Sequence, residues 1–207
     1  MPNLFQPTAL VGAIAIAMGF SVSASAQDSV NASLDTLVVT ATRSEEKVKD
    51  VPSRITVISK SEIEKNPALN LSDLIQRDPS VFVKQSGGIG QITEISIRGT
   101  RPNHTLILKD GARLNSQNHL AAIYPSFLDS SDLEQIEILK GPASVQYGTD
   151  AIGGVVQMIT STPTKNSGFI TGIYGENNTY KAIAGADLTQ DGFYAQIRGQ
   201  RLESDGT

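Results

Sequence analysis

The chain has no cysteine and no tryptophan among its 207 residues, only two histidines, and no apolar run long enough for a membrane-spanning helix. Without cysteine there are no disulfides, thiolate metal ligands or thiol nucleophiles, so any fold must bury a core or pair its strands fully. His104 and His119 stand far apart, with no metal-ligand spacing around them and no HExxH, Walker or GxSxG motif elsewhere. Metalloenzyme, nucleotide-hydrolase and serine-hydrolase readings therefore lack their chemistry, and neither a catalytic residue nor a cofactor is expected. Asp110 precedes Gly111 and is better explained by turn geometry than by acid catalysis. A formal net charge of -4 argues against nucleic acid as a partner.

Charge is also missing from the first 26 residues, where "ALVGAIAIAMGF" at 9–20 is followed by small residues ending in Ala24-Ser25-Ala26. This pattern reads as a secretory signal, residues 1–26, cleaved after Ala26. Its apolar block is shorter than the roughly 20 residues that a spanning helix needs. Residues 27–47 are mostly polar and read as an extended, flexible tether. Within it lies "DTLVVTATR" at 35–43, a β-branched run with no neighbour in sequence to pair with. Two readings stay open for it: a strand offered to the sheet edge of another protein, or the first strand of the chain's own sheet.

What is present from residue 48 to residue 163 alternates short strand and helix signals. "RITVI" reads as a strand, and Ser61 with Glu64 has capping-box spacing for a short helix after it. Leu71, Leu74 and Ile75 place one apolar stripe on a second helix that ends before Pro79. Strands follow at 81–83, 94–99 and 105–111, with a Gly-rich loop at 86–91 and a tight Asp110-Gly111 turn. Ser131 and Glu134 form another capping pair, after which Ile136, Ile138 and Lys140 alternate with Glu137 and Leu139. "GGVVQMIT" supplies a last strand. This composition predicts an α+β domain, a mixed sheet of short strands with short helices.

Residues 164–207 have a different texture. Three runs, "GFITGIYG", "TYKAIAGAD" and "FYAQIRGQRL", are separated by turn candidates at 176–178 and 189–192. In the second run Tyr180, Ala182, Ala184 and Ala186 share one face, opposite Lys181 and Asp187. In the third, Phe193, Ala195 and Ile197 oppose Gln196, Arg198 and Gln200. Apolar out and polar in fits the wall of an outer-membrane barrel with a wet lumen, and it also fits a soluble meander with one solvated face.

Taken in order, "DTLVVTATR", "PSRITVISKSEIE", "LSDLIQRDPSVFV", "ISIRG", "LILKDGARLN" and "IEILKGPASVQYGTDAIGGVVQMIT" resemble the N-terminal part of TonB-dependent outer-membrane receptors. The resemblance implies a signal peptide (1–26), a TonB box and tether (27–47), a plug domain (48–163) and the first antiparallel strands of an incomplete transmembrane β-barrel (164–207). It implies uptake of a scarce nutrient complex at the outer membrane, after export through the periplasm. The nutrient would be a corrinoid, a siderophore or haem, and "GGIGQITEISIRGTRPNH" is most similar to the cobalamin receptors. A receptor barrel of about 22 strands needs many more strands than residues 164–207 supply, so the chain is expected to be a fragment. The alternative is a plug-only periplasmic protein that binds TonB or a ligand without transport.

The same resemblance assigns residues. TonB is expected on Asp35, Thr36, Leu37, Val38, Val39, Thr40 and Ala41. Ligand is expected on the plug loops at Gln85, Gln91, Asn115, Gln117, Asn118 and Tyr124, each of which can equally be a solvated loop residue. Arg98 and Lys140 are expected to pair with barrel carboxylates, with Lys140 standing where many relatives have Arg and therefore giving a point charge in place of a fork. Lys109 departs from the family's usual aliphatic residue; it faces either the domain interior, where it needs a partner, or the wall. Lipid is a partner only if the barrel is completed.

Overall fold

The computed structural model describes residues 37–38, 46–50, 54–66, 68, 70–88, 91–115 and 128–206. Strands β1 (Leu37–Val38) and β2 (Glu46–Lys47) form a two-residue antiparallel ladder, Leu37 opposite Lys47 and Val38 opposite Glu46. Strand β3 (Arg54–Ser59) runs directly into helix α1 (Lys60–Lys65). The backbone N–H and the hydroxyl of Ser59 both donate to Glu62 Oε2 at 2.8 Å, a capping arrangement that holds the first turn. This box lies two residues before the Ser61–Glu64 pair expected from the sequence. The reason is that β3 pairs with its neighbour only as far as Ser59 opposite Gln135, so the chain leaves the sheet at Ser59 and uses the first carboxylate at capping distance.

Helix α2 (Leu71–Ile75) starts at Asn70, whose side chain accepts from the Asp73 N–H at 3.2 Å, and its Leu71, Leu74 and Ile75 are all buried. It stops ahead of Pro79, where the ring disfavours helical geometry in the preceding residue. Strands β4 (Val81–Gln85) and β5 (Thr93–Ile97) make a separate hairpin closed by the Gly-rich loop. Strands β6 (Thr105–Lys109) and β7 (Ala112–Arg113) are joined through Asp110 and Gly111, with φ of 49° and 79°, the left-handed geometry of a tight hairpin turn. The Asp110 carboxylate accepts from the Thr160 N–H at 2.8 Å and from its hydroxyl at 2.9 Å, so its role is to tie this turn to the neighbouring strand end.

Strand β8 (Leu133–Lys140), helix α3 (Ser144–Tyr147) and strand β9 (Gly154–Thr160) complete the domain. Among the described residues the central sheet has the order β3-β8-β9-β6-β7, with β6 and β9 parallel and the other pairs antiparallel. Apolar residues cover both faces. Ile136, Ile138, Val156, Met158 and Ile107 pack with α2 and the β4–β5 hairpin on one side. Leu139, Val155, Leu106 and Leu108 pack with Tyr147 and Ala151 on the other. A strand buried on both faces carries no simple apolar–polar alternation, which is why Glu137, read as the polar side of β8, is fully buried and accepts from Gln135 Nε2 at 2.7 Å. The expected short turn forms, the Leu133 N–H closing onto the Ser130 carbonyl at 3.3 Å, but the Ser131–Glu134 capping pair does not: Glu134 already belongs to β8 and Ser131 bonds Asp129. Gly154 marks a tight crossing: a Cβ there would lie 2.4 Å from the Leu139 carbonyl oxygen and 2.7 Å from Ile97 Cδ1.

Strands β10 (Ser167–Tyr174), β11 (Tyr180–Gln190) and β12 (Phe193–Glu203) form an open antiparallel sheet. Its turns lie where the sequence places them, with positive φ at Asn177, Asn178, Asp191 and Gly192. One face carries Ile170, Tyr174, Leu188 and Ile197, all exposed. The other carries Ile173, Lys181, Ile183, Asp187 and Arg198 and is turned toward the plug.

Candidate functional site

Three groups of residues bear on function: the β-branched run near the N-terminus, the plug loops, and the seam between the plug and strands β10–β12. In the first, Leu37 and Val38 lie within the described residues, and Asp35, Thr36, Val39, Thr40 and Ala41 lie outside them. Val38 is not free in a tether. It is fully buried against Leu106, Leu108, Leu139 and Val155, on the second face of the sheet. A valine can drop its whole side chain into an apolar surface while its backbone stays extended, which is what the ladder to Glu46 and Lys47 requires. The same face opens into a groove of about 530 Å³ lined by Leu106, Leu108, Arg113, Tyr147, Gln157 and Ile159.

In the second group, Gln117, Asn118 and Tyr124 lie outside the described residues. Gln85 and Gln91 are exposed at the tip of the β4–β5 hairpin, where Gln85 Nε2 donates to the Gly88 carbonyl at 2.9 Å. Gln91 lies beneath Gly87, with its Cγ 2.9 Å from where a Cβ would stand. Asn115 departs from expectation. Its Oδ1 accepts from the Ile107 N–H at 2.6 Å and its Nδ2 donates to the Thr105 carbonyl at 2.9 Å, so the amide continues the β6 ladder and is occupied by backbone.

The third group also departs from the sequence reading. Lys140 does not reach outward to a barrel carboxylate; its Nζ lies 2.6 Å from Asp78 Oδ2, with the two side chains 15% and 3% exposed. Burial opposes ionisation of Asp78, but hydrogen bonds from Lys140, from the Ser80 hydroxyl and backbone, and from Thr56 outweigh it and hold the carboxyl far below the usual carboxylate range. Arg98 is exposed at φ 54°, with Nη1 3.4 Å from where a Gly141 Cβ would stand, and no ion pair to it occurs among the described residues. Lys109 pairs with Asp132 at 2.8 Å, both half-buried, so this departure from the family pattern is satisfied within the plug.

An ion pair that crosses from the plug to the strands was not anticipated. Lys181, 3% exposed on the inward face of β11, lies 3.3 Å from Asp129 Oδ1. Asp129 Oδ2 accepts from the Ser131 hydroxyl. Burial disfavours the Asp129 carboxylate, but Ser131 and Lys181 together bring its pKa below the ordinary value. The sequence carried half of this signal, since Lys181 stands on the polar face of an otherwise alanine-rich strand, whereas nothing local marks Asp129 as its partner. On the same inward face Arg198 lies over the Phe169 ring, 5.1 Å from its centroid, and bonds Asp187 at 2.5 Å.

A family model described as "TonB-dependent Receptor Plug Domain" matches residues 47–155, more than half of the chain. The chain belongs to the TonB-dependent receptor plug family. The match ends at the second residue of β9, so it spans β3 to β8 and the β4–β5 hairpin, and the rest of β9 and strands β10–β12 lie beyond it.

Relatives of this plug protein are transporters and receptors. Over 147 residues it is 38% identical to the vitamin B12 transporter of Vibrio vulnificus (strain CMCP6), a match covering 71% of this chain and 24% of that protein. The ferric yersiniabactin uptake receptor of Yersinia pestis matches with a TM-score of 0.57 at 26% identity, covering 72% of this chain and 24% of that one. The ferripyoverdine receptor of the Pseudomonas aeruginosa outer membrane matches at a TM-score of 0.71 and 20% identity, covering 82% and 22%, a likeness of fold alone. The plug protein thus spans about a quarter of the length of these relatives.

Proposed function

We propose that this chain is the N-terminal part of a TonB-dependent outer-membrane transporter that takes up a scarce nutrient complex. Residues 1–26 direct export, 27–47 hold the TonB box, 48–163 form the plug and 164–207 begin the barrel. The observation that carries this reading is the plug sheet followed by three antiparallel strands with an apolar outer face and a charged inner face. A soluble ligand-binding plug has no use for the exposed row of Ile170, Tyr174, Leu188 and Ile197. Within the nutrient class, a corrinoid is favoured by the 38% identity to a vitamin B12 transporter. Gln85 and Gln91, exposed on the hairpin loop, are the described residues best disposed to hydrogen-bond such a polar ligand, and Arg98 is the exposed cation best disposed to meet a barrel carboxylate.

TonB would be engaged by strand addition along Asp35 to Ala41, where main-chain hydrogen bonds give affinity and alternate side chains give register. Leu37 and Val38 already use one edge on Glu46 and Lys47. An incoming strand therefore takes the other edge or displaces this two-residue ladder, and a ladder that short is easily displaced. The test is binding of the full chain to a purified TonB C-terminal domain, with Val39→Pro beside it. Proline removes a backbone donor and fixes φ, so the variant is expected to lose binding. Equal binding by the two would mean that TonB, if bound at all, is held elsewhere.

A further inference from the structure

The plug and the three-stranded sheet face each other across a cleft of about 460 Å³, lined by Lys60, Ile63 and Ser161 from the plug and by Phe169, Ile183 and Arg198 from the sheet. Its lining is mixed and more apolar than polar, and across this open volume the two surfaces are out of van der Waals contact, so direct polar contacts across the seam weigh more. Arg198 does not cross it, being paired with Asp187 and stacked on Phe169 within the sheet. Lys60 does not cross it either, since it reaches Glu134 at 3.5 Å and the Ser161 hydroxyl at 2.9 Å inside the plug.

Lys181 and Asp129 do cross it. The ammonium is almost fully buried, and a buried charge deprived of its counter-charge is strongly unfavourable. Its partner is fixed at both oxygens, one by Lys181 and one by the Ser131 hydroxyl. Asp129 is rooted as well, because the Leu133 N–H closes a turn onto the Ser130 carbonyl at 3.3 Å, where β8, an interior strand of the plug sheet, begins. A pull on this carboxylate is a pull on the core of the plug.

We propose that the Asp129–Lys181 pair is the latch that seats the plug against the barrel wall. The proposal rests on reading β10–β12 as the beginning of that wall. It gives a seating role to a wall lysine and a plug aspartate, beside Arg98 and in place of Lys140, which is spent on Asp78. Breaking the pair opens the seam and leaves both plug cores intact, because neither side chain is part of them.

Because the chain has no cysteine, Ile183→Cys introduces a single thiol on the inward face of β11, at a buried position. The rate at which a water-soluble maleimide labels it, in the full chain in detergent micelles, reports opening of the seam. Asp129→Asn in that background is expected to raise the rate by about ten-fold. The exchanged pair Asp129→Lys with Lys181→Asp is expected to return it to within about three-fold of the parent. Lys60→Met, which breaks a pair inside the plug, is expected to leave it unchanged. An unchanged rate in Asp129→Asn overturns the latch, as does failure of the exchanged pair to restore slow labelling. Equal acceleration by Asp129→Asn and Lys60→Met reports general loosening and also overturns it. The readout involves neither TonB nor nutrient, so a chain that fails to bind TonB can still show the latch.

Discussion

Asp78 holds a charge where charge is costly. Its carboxylate is almost fully buried at the corner between α2 and β4, yet it is kept ionised by Lys140 at 2.6 Å and by the Ser80 N–H and hydroxyl at 2.9 and 2.6 Å. Because its pKa is lowered on folding, the stability it contributes is fully present above the unfolded carboxylate value near 4 and is lost as pH falls below that value toward the folded one. Lys140→Met leaves this carboxylate without its counter-ion and should destabilise the plug by about 3 kcal/mol at pH 7. In urea unfolding followed by circular dichroism, the difference from the parent should shrink as pH is lowered through 4 toward 3. A difference that stays constant over that range would mean that Lys140 stabilises through packing of its stem alone. The sequence made Lys140 visible as a charged residue in a patterned strand, but its partner stands 62 positions earlier. Pairing over that distance follows from where the β8 end meets the α2–β4 corner, which no local spacing encodes. The same holds for Asn115, whose side chain is of the type that binds ligands and is spent instead on the backbone of β6.

At the scale of elements, strong local signals and tertiary pairing divide the outcome. Helix α2 and the turns at Asp110-Gly111, Asn177-Asn178 and Asp191-Gly192 formed where stripe spacing and turn residues indicated, because each is decided by residues within a few positions of one another. The start of α1 moved to Ser59, and the turn ahead of β8 formed without the Ser131–Glu134 capping pair, because in both places the length of a sheet ladder decides where the strand ends or begins. Strand β8 shows the physical limit most plainly: buried on both faces, it loses the alternation that identifies half-buried strands. A test at this scale is Ser59→Ala. It removes the hydroxyl that donates to Glu62, and loss of a helix cap costs about 1 kcal/mol, read as a lower urea midpoint for the chain. Ser61→Ala, at the serine that the spacing favoured, should change the midpoint little, and a larger loss there than at Ser59 would reassign the cap.

For the whole molecule, the decisive asymmetry is between the two faces of β10–β12. Outward, Ile170 stands opposite Ala184 and Ile197 opposite Ala186, with Tyr174 toward one end of the sheet and Phe193 toward the other. Inward, Lys181, Asp187 and Arg198 engage charged partners. Alternation alone left a soluble meander and a membrane wall equally open, since one buried and one solvated face produce the same pattern. The fold separates them: the charged face is the covered one and the apolar face is the open one, the reverse of a soluble sheet. Ile170 lies near the middle of β10, so Ile170→Arg puts a cation at the centre of the apolar band. If that band faces lipid, the substitution costs about 2–4 kcal/mol and should reduce partitioning of the chain into phospholipid vesicles by at least about ten-fold in a co-sedimentation assay. Thr171→Arg, one residue on and on the opposite face, should change partitioning only slightly. Equal losses from the two would show that the faces are not distinguished by lipid, and the three strands would then have to be read as the cover of a soluble plug.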